Sequence, residues 1–358
     1  MNPEVSIIIP AYNSQEYVSQ ALKSVFNQSY TNLEVILVDD ASTDSTVKIA
    51  GSFLDKRLKI IKNNRNRGVS YGRNRGIEQA KGKWIALLDS DDWYAPERIE
   101  KLLEIAEEKD ADLIADDLFL IRDGEQQPWS TLLSESPQER LLEIPFIDAV
   151  KFVASDRLPP INAQRNWSLG YTKPIIRRKF LLKNKIRYDE NIRVGEDFAL
   201  YLECLRRKAR FHLISQSYYY YRTRVSSLST RKPTEYLSQS CQITKSFIYQ
   251  EVNSQTDSKL LQALWQNLII FQKRLAYYRL LESAKEKKLL QVIQQIIASP
   301  EVLQDLSQKL IMVLTKKLFN IRETKKNSQV NFAANKVQPA YRSTKKSLQS
   351  ELKSAKLL

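Results

Sequence analysis

Histidine is nearly absent from this 358-residue chain. His212 stands alone, which excludes His-rich metal sites and any mechanism that needs two imidazoles. Cysteine is almost as scarce: Cys204 and Cys241 cannot build a disulfide framework, and a reducing compartment is the expectation. Eight glycines are too few for several Gly-rich phosphate loops, and with twelve prolines beside them the chain is neither collagen-like nor low-complexity. Long hydrophobic runs are missing too. The apolar stretch 264–271 is interrupted by Gln266 and Asn267, far short of the roughly 18 apolar residues of a spanning helix. No charged leader precedes the short apolar run that starts at Val5, so the expectation is a cytoplasmic chain and not a secreted one.

Apolar residues make up 42% of the chain and charged residues 27%, enough to bury a sizeable core without staples. The net charge is +15, unevenly spread. Residues 309–358 carry twelve Lys/Arg against Glu323 and Glu351, a net +10. The basic signal therefore belongs to a tail. That tail reads either as a solvated extension or as an electrostatic dock for anionic lipid on the cytoplasmic face of a membrane. Nucleic-acid binding through the same tail is the alternative, although no recognised nucleic-acid motif accompanies it.

The first 115 residues alternate strand and helix signals. Apolar, β-branched runs at 5–9, 33–38, 58–61, 84–88 and 111–115 read as strands, the first stopped by Pro10. Between them lie helical spacings that start after Ser14, after Ser42-Thr43, at Val69 and at Glu97. This alternation predicts an α/β fold, a mostly parallel, Rossmann-like sheet with helices on both faces. Residues 116–170, broken by five prolines, read as loops with short elements; a helix is expected at 197–207, with strands at 211–215 and 218–222. His212, in a strand-like segment, reads as a core histidine. Beyond Pro233, long Leu/Ile/Gln/Lys stretches at 236–251, 257–281 and 284–297 read as amphipathic helices. The division expected is a catalytic domain over 1–232, with a nucleotide half to 115 and an acceptor half after it. A helical extension over 233–320 and a basic, flexible tail over 321–358 complete it.

Ligands of such sheets bind beyond the carboxyl ends of the strands, where the polar clusters of this chain fall. Asp89-Ser90-Asp91 follows a strand directly, and residues i and i+2 of an extended chain project to one side. Two carboxylates facing one point suit Mg²⁺ or Mn²⁺ held beside substrate phosphates. Asp39-Asp40 ends another strand, where a carboxylate can bond a uracil N–H or a ribose hydroxyl. Tyr12, beside Asn13, offers an aromatic face to a base, and Arg73 and Arg75 can answer phosphate charge. Each has a bland reading as well: a turn of solvated acids, Asp40 as an N-cap, Tyr12 as packing, Arg73 as a solvated helix face. Gly68, Gly72 and Gly76 do not spell G-x-G-x-x-G, which speaks against a dinucleotide-dependent oxidoreductase.

Four segments in order, Val5-Ser6-Ile7-Ile8-Ile9-Pro10-Ala11-Tyr12-Asn13, Val38-Asp39-Asp40-Ala41-Ser42-Thr43-Asp44, Gly68-Val69-Ser70-Tyr71-Gly72-Arg73-Asn74 and Leu88-Asp89-Ser90-Asp91-Asp92, resemble family 2 glycosyltransferases. Gly195-Glu196-Asp197 is similar to the acidic pair of that family's acceptor half, and residues 170–229 look most like bacterial exopolysaccharide transferases of the succinoglycan type. The resemblance implies a GT-A fold, a nucleotide-sugar donor (a UDP-sugar), a divalent metal, and inversion in transfer to a glycan or lipid-linked acceptor. Carried over, Pro10, Tyr12, Asn13 and Asp40 lie at the nucleoside. Arg73 lies near the base or phosphates, and Asp89 near the ribose and the metal. Asp91 ligates the metal, and Asp197 is the catalytic base with Glu196 beside it. Arg224 takes the place of a histidine common in relatives, where it can bind pyrophosphate but cannot ligate a cation. The Gln-x-x-Arg-Trp signature of processive synthases is absent, so one sugar per event is expected. Trp93 and Tyr94 either stack on the sugars or pack, and Trp167, Tyr171 and Lys173 are candidates for the acceptor side. A catalytically inert nucleotide-sugar binder is the nearest rival.

Overall fold

The computed structural model describes residues 2–134, 146–156, 158, 168–224, 233–254 and 257–299. The described residues up to Gln295 pack as one compact unit. Trp167 and the basic tail lie outside the described residues.

The chain runs through β1 (Val5–Ala11), α1 (Val18–Phe26), β2 (Leu33–Asp39), α2 (Thr46–Gly51), β3 (Leu58–Lys62), α3 (Val69–Gln79), β4 (Trp84–Leu87), β5 (Trp93–Tyr94) and α4 (Arg98–Glu108). It continues with β6 (Leu113–Arg122), β7 (Ser130–Thr131), β8 (Phe146–Ile147), α5 (Ala149–Ser155), β9 (Ile175–Arg177), α6 (Arg178–Asn184), α7 (Glu196–Arg206) and β10 (Phe211–Thr223). Helices α8 (Pro233–Ser254), α9 (Ser258–Lys285) and α10 (Leu289–Ala298) follow. The strands form one sheet in the order β3-β2-β1-β4-β9-β6-β10-β5, with β7 beside β6 and β8 beside β10. Strands β1 to β4 pair in parallel, as do β6 and β10, while β9 runs antiparallel to both β4 and β6.

Strand periodicity explains the continuous apolar runs. In β1, Ile8 turns to one face and Ile7 and Ile9 to the other, and all three are fully buried. Helices α1 and α4 pack with the Ile7 face, and α3 lies on the Ile8 face, whose buried cluster extends to α5, α7, α8 and α9. A sheet buried on both sides has no polar alternation to show.

Several sequence expectations change at the boundaries. Strand β1 does not stop at Pro10 but runs through it to Ala11, with Pro10 opposite Val38. The Ile8 carbonyl accepts from Leu88 on the β4 side, so the N–H that Pro10 lacks would point the same way, past the end of β4. No ladder bond is lost there. Ser14 does not cap α1 with its side chain; its carbonyl accepts from Tyr17 and Val18 while its hydroxyl meets Ser90. The two strands expected at 211–222 are one strand, β10, whose register shifts between Leu213 and Tyr219.

Candidate active site

Ten of the residues named from sequence as site candidates line one cavity of about 780 Å³: Pro10, Tyr12, Asn13, Asp40, Arg73, Asp89, Asp91, Glu196, Asp197 and Arg224. They arrive from the ends of β1, β2 and β4, from α3, from the first turn of α7, and from the end of β10.

Arg73 is the hub. It is 1% exposed, not a solvated helix face. Helix α3 lies close on β1 because Gly76 leaves no side chain to collide with Ile8. Arg73 Nη1 donates to Glu196 Oε1 and Asp197 Oδ1, both at 2.8 Å, and Nη2 donates to Asp89 Oδ1 at 2.7 Å. Lys173 makes a second bridge. Its Nζ stands 2.6 Å from Asp197 Oδ2 and 2.9 Å from Asp89 Oδ2. Tyr188 Oη donates to Asp197 Oδ1 at 2.9 Å. Three carboxylates thus share two buried cations, and both oxygens of Asp197 are occupied.

The charge states follow. Burial opposes the charge of Arg73 and of Lys173, but Asp197 and Asp89 outweigh it and hold both cations well above their usual range. Burial likewise works against ionised Asp89, yet Lys173 and Arg73 keep its carboxylate well below the usual range. Burial and then the Asp197 charge push Glu196 up. Burial and then Asp89 push Asp91 up, against the pull of Arg224. Asp92 goes further up, through burial and its neighbours Asp91 and Asp89. It is fastened by the Arg222 N–H and Tyr219 Oη, each at 2.8 Å.

Gly195 sets the acidic pair in place. It caps α7 with φ +85°, a backbone that L side chains rarely adopt. Glu196 and Asp197 then occupy the first turn, where the helix dipole favours negative charge.

Two candidates carry structural duties. Asp40 accepts from Asn63 Nδ2 at 2.8 Å and from the N–H groups of Arg67 at 2.9 Å and Gly68 at 2.7 Å. Its carboxylate clamps the loop that leads into α3. Asn13 joins two loops: its N–H donates to Ser42 Oγ at 2.9 Å and its Oδ1 accepts from the Thr43 N–H at 2.8 Å. Tyr12, 48% exposed, keeps an open aromatic face at the rim. Arg224 pairs with Asp91 and lies over the Tyr17 ring.

Other expectations are corrected. Arg75 bonds the Lys62 carbonyl and Asn63 and does not line the cavity, since two residues along a helix turn the side chain by about 200°. Tyr94 is core, its hydroxyl donating to the Leu87 carbonyl at 2.6 Å. Trp93 stacks on Tyr220 with 4.9 Å between centroids. His212 is half-buried on β10, edge-on to Phe146. Tyr171 lines the cavity.

Sequence reasoning missed the bridging place of Lys173 and did not name Tyr188 or Tyr219. A signal for Lys173 was present. A lone lysine just ahead of the apolar β9, with Pro174 fixing the chain after it, is a buried charge in need of partners.

A divalent cation is implied by the family resemblance, and the donor set can be tested for it. Asp91 is a half-buried hard oxygen ligand paired with Arg224, and burial and Asp89 push its carboxyl up, which fits a cation that draws its other ligands from phosphates. Asp89 is already committed to Arg73 and Lys173. Among the described residues no group of three or more His, Cys, Asp or Glu could hold a metal by itself.

Comparison with known proteins agrees with this architecture. Residues 6–165 match the family described as Glycosyl transferase family 2. The succinoglycan biosynthesis protein ExoO of Rhizobium meliloti is 29% identical over 306 residues, 85% of this chain and 84% of that protein. ExoU of the same organism, also a succinoglycan biosynthesis protein, is 32% identical over 229 residues, 63% of this chain and 64% of it. Among solved structures, S. aureus TarS 1–349 in complex with UDP-GlcNAc superposes with a TM-score of 0.58 at 23% identity, over 85% of this chain and 81% of that one. The shared architecture is the GT-A fold.

Proposed function

Because residues 6–165 match Glycosyl transferase family 2, we propose that this chain moves a sugar from a UDP-sugar to a hydroxyl of a glycan or lipid-linked acceptor in exopolysaccharide synthesis, with inversion at the anomeric carbon. The observation that carries the reading is the single cavity in which Arg73 and Lys173 tie Asp89 to Asp197. UDP and UDP-GlcNAc in complexes of TarS support the choice of donor.

In this reading Tyr12 and Pro10 face the base, and Arg224 answers the diphosphate. Asp91, with Asp89 beside it, holds a divalent cation that offsets the charge growing on the departing nucleoside diphosphate. The acceptor hydroxyl is a poor nucleophile, and a carboxylate within reach takes its proton as the new bond forms, a role worth about 10²–10⁴ in rate. Asp197 fills that role. Its Oδ2 is held by Lys173, so it gains a proton only as the ammonium leans toward another anion, and the donor diphosphate is such an anion. A second reading gives the proton to Glu196, whose one hydrogen-bond partner among the described residues is Arg73. A single base opposite the leaving group suits one in-line displacement.

No helix among the described residues is long and apolar enough to cross a membrane. We assign the contact with a lipid-linked acceptor to the basic segment 309–358, which carries +10 and would gain about 1 kcal/mol per basic residue at an anionic surface. The test is a screen of nucleotide sugars for thermal stabilisation with and without Mn²⁺, since a ligand of the folded state raises its stability by mass action. Stabilisation by uridine nucleotides above other nucleotides is expected; none by any nucleotide sugar would defeat the proposal.

A further inference from the structure

The cavity does not end at the acidic pair. Beyond Glu196 and Asp197 it continues between α5, α7, α8 and α9, lined there by Asp156, Ser168, Tyr236, Ile243 and Phe271. We propose that this lobe is an acceptor subsite that holds a pyranose ring, with the Asp156 carboxyl bonding ring hydroxyls. The proposal rests on the glycosyltransferase reading above.

The first argument is Asp156 itself. It follows the last residue of α5 and is only 8% exposed. No cation reaches its carboxyl among the described residues, and its one side-chain partner is the Ser168 hydroxyl. A buried acid without a counter-ion is costly, and chains keep such groups where something else meets them. Burial pushes this carboxyl up to about 7. Near neutrality it can therefore donate as well as accept, which matches a sugar hydroxyl that does both.

The second argument is the division of charge along the cavity. Arg73, Lys173 and Arg224 stand with Asp89 and Asp91. The far lobe holds no Lys or Arg among its described lining residues beyond Gly195 on the α8 side. A diphosphate belongs at the first end and a neutral ring at the second.

The third argument is shape and chemistry of the walls. Ile243, Phe198 and Phe271 give apolar surface for the C–H face of a pyranose. Asp156, Ser168 and Tyr236 give a polar edge. Apolar walls with a few convergent polar groups are the usual make-up of small-molecule sites. Helix α8 lies against the start of α7, so closely that a Cβ on Gly195 would meet Ile243 Cδ1 at 3.2 Å. The acidic pair therefore sits between the two ends, where a hydroxyl must lose its proton. Tyr236, Ile243 and Phe271 all lie beyond residue 165, the end of the family match, so this wall of the lobe is built outside the segment that match covers.

The experiment is saturation-transfer NMR on the full chain in the presence of UDP. The probes are p-nitrophenyl β-glycosides of glucose, galactose, mannose and N-acetylglucosamine. Transfer to the ring protons of at least one glycoside is expected. Asp156→Asn and, separately, the lobe-filling Ile243→Trp should each weaken it about tenfold, equivalent to about 1.4 kcal/mol, with UDP affinity unchanged. Three results overturn the proposal: glycoside binding undiminished in both variants, transfer confined to the nitrophenyl protons, or no glycoside bound by protein that binds UDP. Failure of the wild type to bind UDP strikes the donor reading instead.

Discussion

Lys173 Nζ lies 2.6 Å from Asp197 Oδ2, although one residue leads into β9 and the other stands in the first turn of α7. The same ammonium reaches Asp89 at 2.9 Å. One buried cation thereby couples Asp89, past the end of β4, to the acid pair.

Lys173→Met leaves Asp89 and Asp197 with Arg73 as their shared cation. Breaking a buried pair by removing one partner costs about 3–5 kcal/mol, so the melting temperature should fall clearly in a thermal scan. Lys173→Arg should restore part of the stability. If it restores stability without turnover, the ammonium's position matters beyond folding.

Asp197→Asn should lower turnover by about 10²–10⁴ while UDP binding, followed by calorimetry, is kept. Glu196→Gln is the companion. A proton acceptor must be ionised, so activity rises with pH through its pKa. Burial and the Asp197 charge push Glu196 up. If Glu196 governs the rising limb, that limb lies above the ordinary glutamate range. It then moves to lower pH in the residual activity of Asp197→Asn.

Asp156→Asn should change the pH dependence of stability. The carboxyl goes from an ordinary 3.8 up to about 7 in the fold. A group raised on folding stabilises fully below its unfolded pKa, and that contribution fades as pH climbs from about 4 to about 7. Each tenfold change in proton affinity is worth about 1.4 kcal/mol, so the loss is a few kcal/mol. Relative to wild type, the variant should therefore melt higher at pH 8 than at pH 5. Parallel melting curves at the two pH values would count against a buried, uncompensated acid.

Asp40→Ala removes the acceptor for the Asn63 amide and for the N–H groups of Arg67 and Gly68. Each buried donor left unpaired costs about 1–3 kcal/mol. The expected outcome is a lower melting temperature together with weaker nucleotide binding, because the loop before α3 loosens. Hydrogen exchange at Arg67 and Gly68 measures this directly.

Asp91→Ala should abolish stimulation by Mn²⁺ and leave chelator-treated protein unchanged in fold. Arg224→Gln should raise the donor KM and spare kcat. Steady-state kinetics over a Mn²⁺ titration checks both.

The first 115 residues of the fold were legible because parallel strands buried on both faces leave continuous apolar runs, and the polar residues that end them mark the carboxyl edge of the sheet. Asp40, Asp89 and Asp91 could be placed that way. The antiparallel β9 was not legible: three residues, Ile175–Arg177, carry too little pattern to show a strand inserted between β4 and β6. Nor was β10 seen as one strand, because its register shift breaks the alternation around Ser217. Lys173 and Tyr188 were hidden for a different reason. Both meet Asp197, from 24 and 9 residues away along the chain, and local spacing does not encode such meetings. Arg75 was misplaced because the helical turn that carries Arg73 inward carries its near neighbour outward.

Strand β9 bonds to β4 through Trp84 and Ile85 and to β6 through Leu113 and Ile114, which rivets the two flanks of the sheet into one surface. They cannot swing apart like jaws without tearing that seam. Any widening of the cleft is thus left to groups that lie off the seam, such as the Arg224–Asp91 pair.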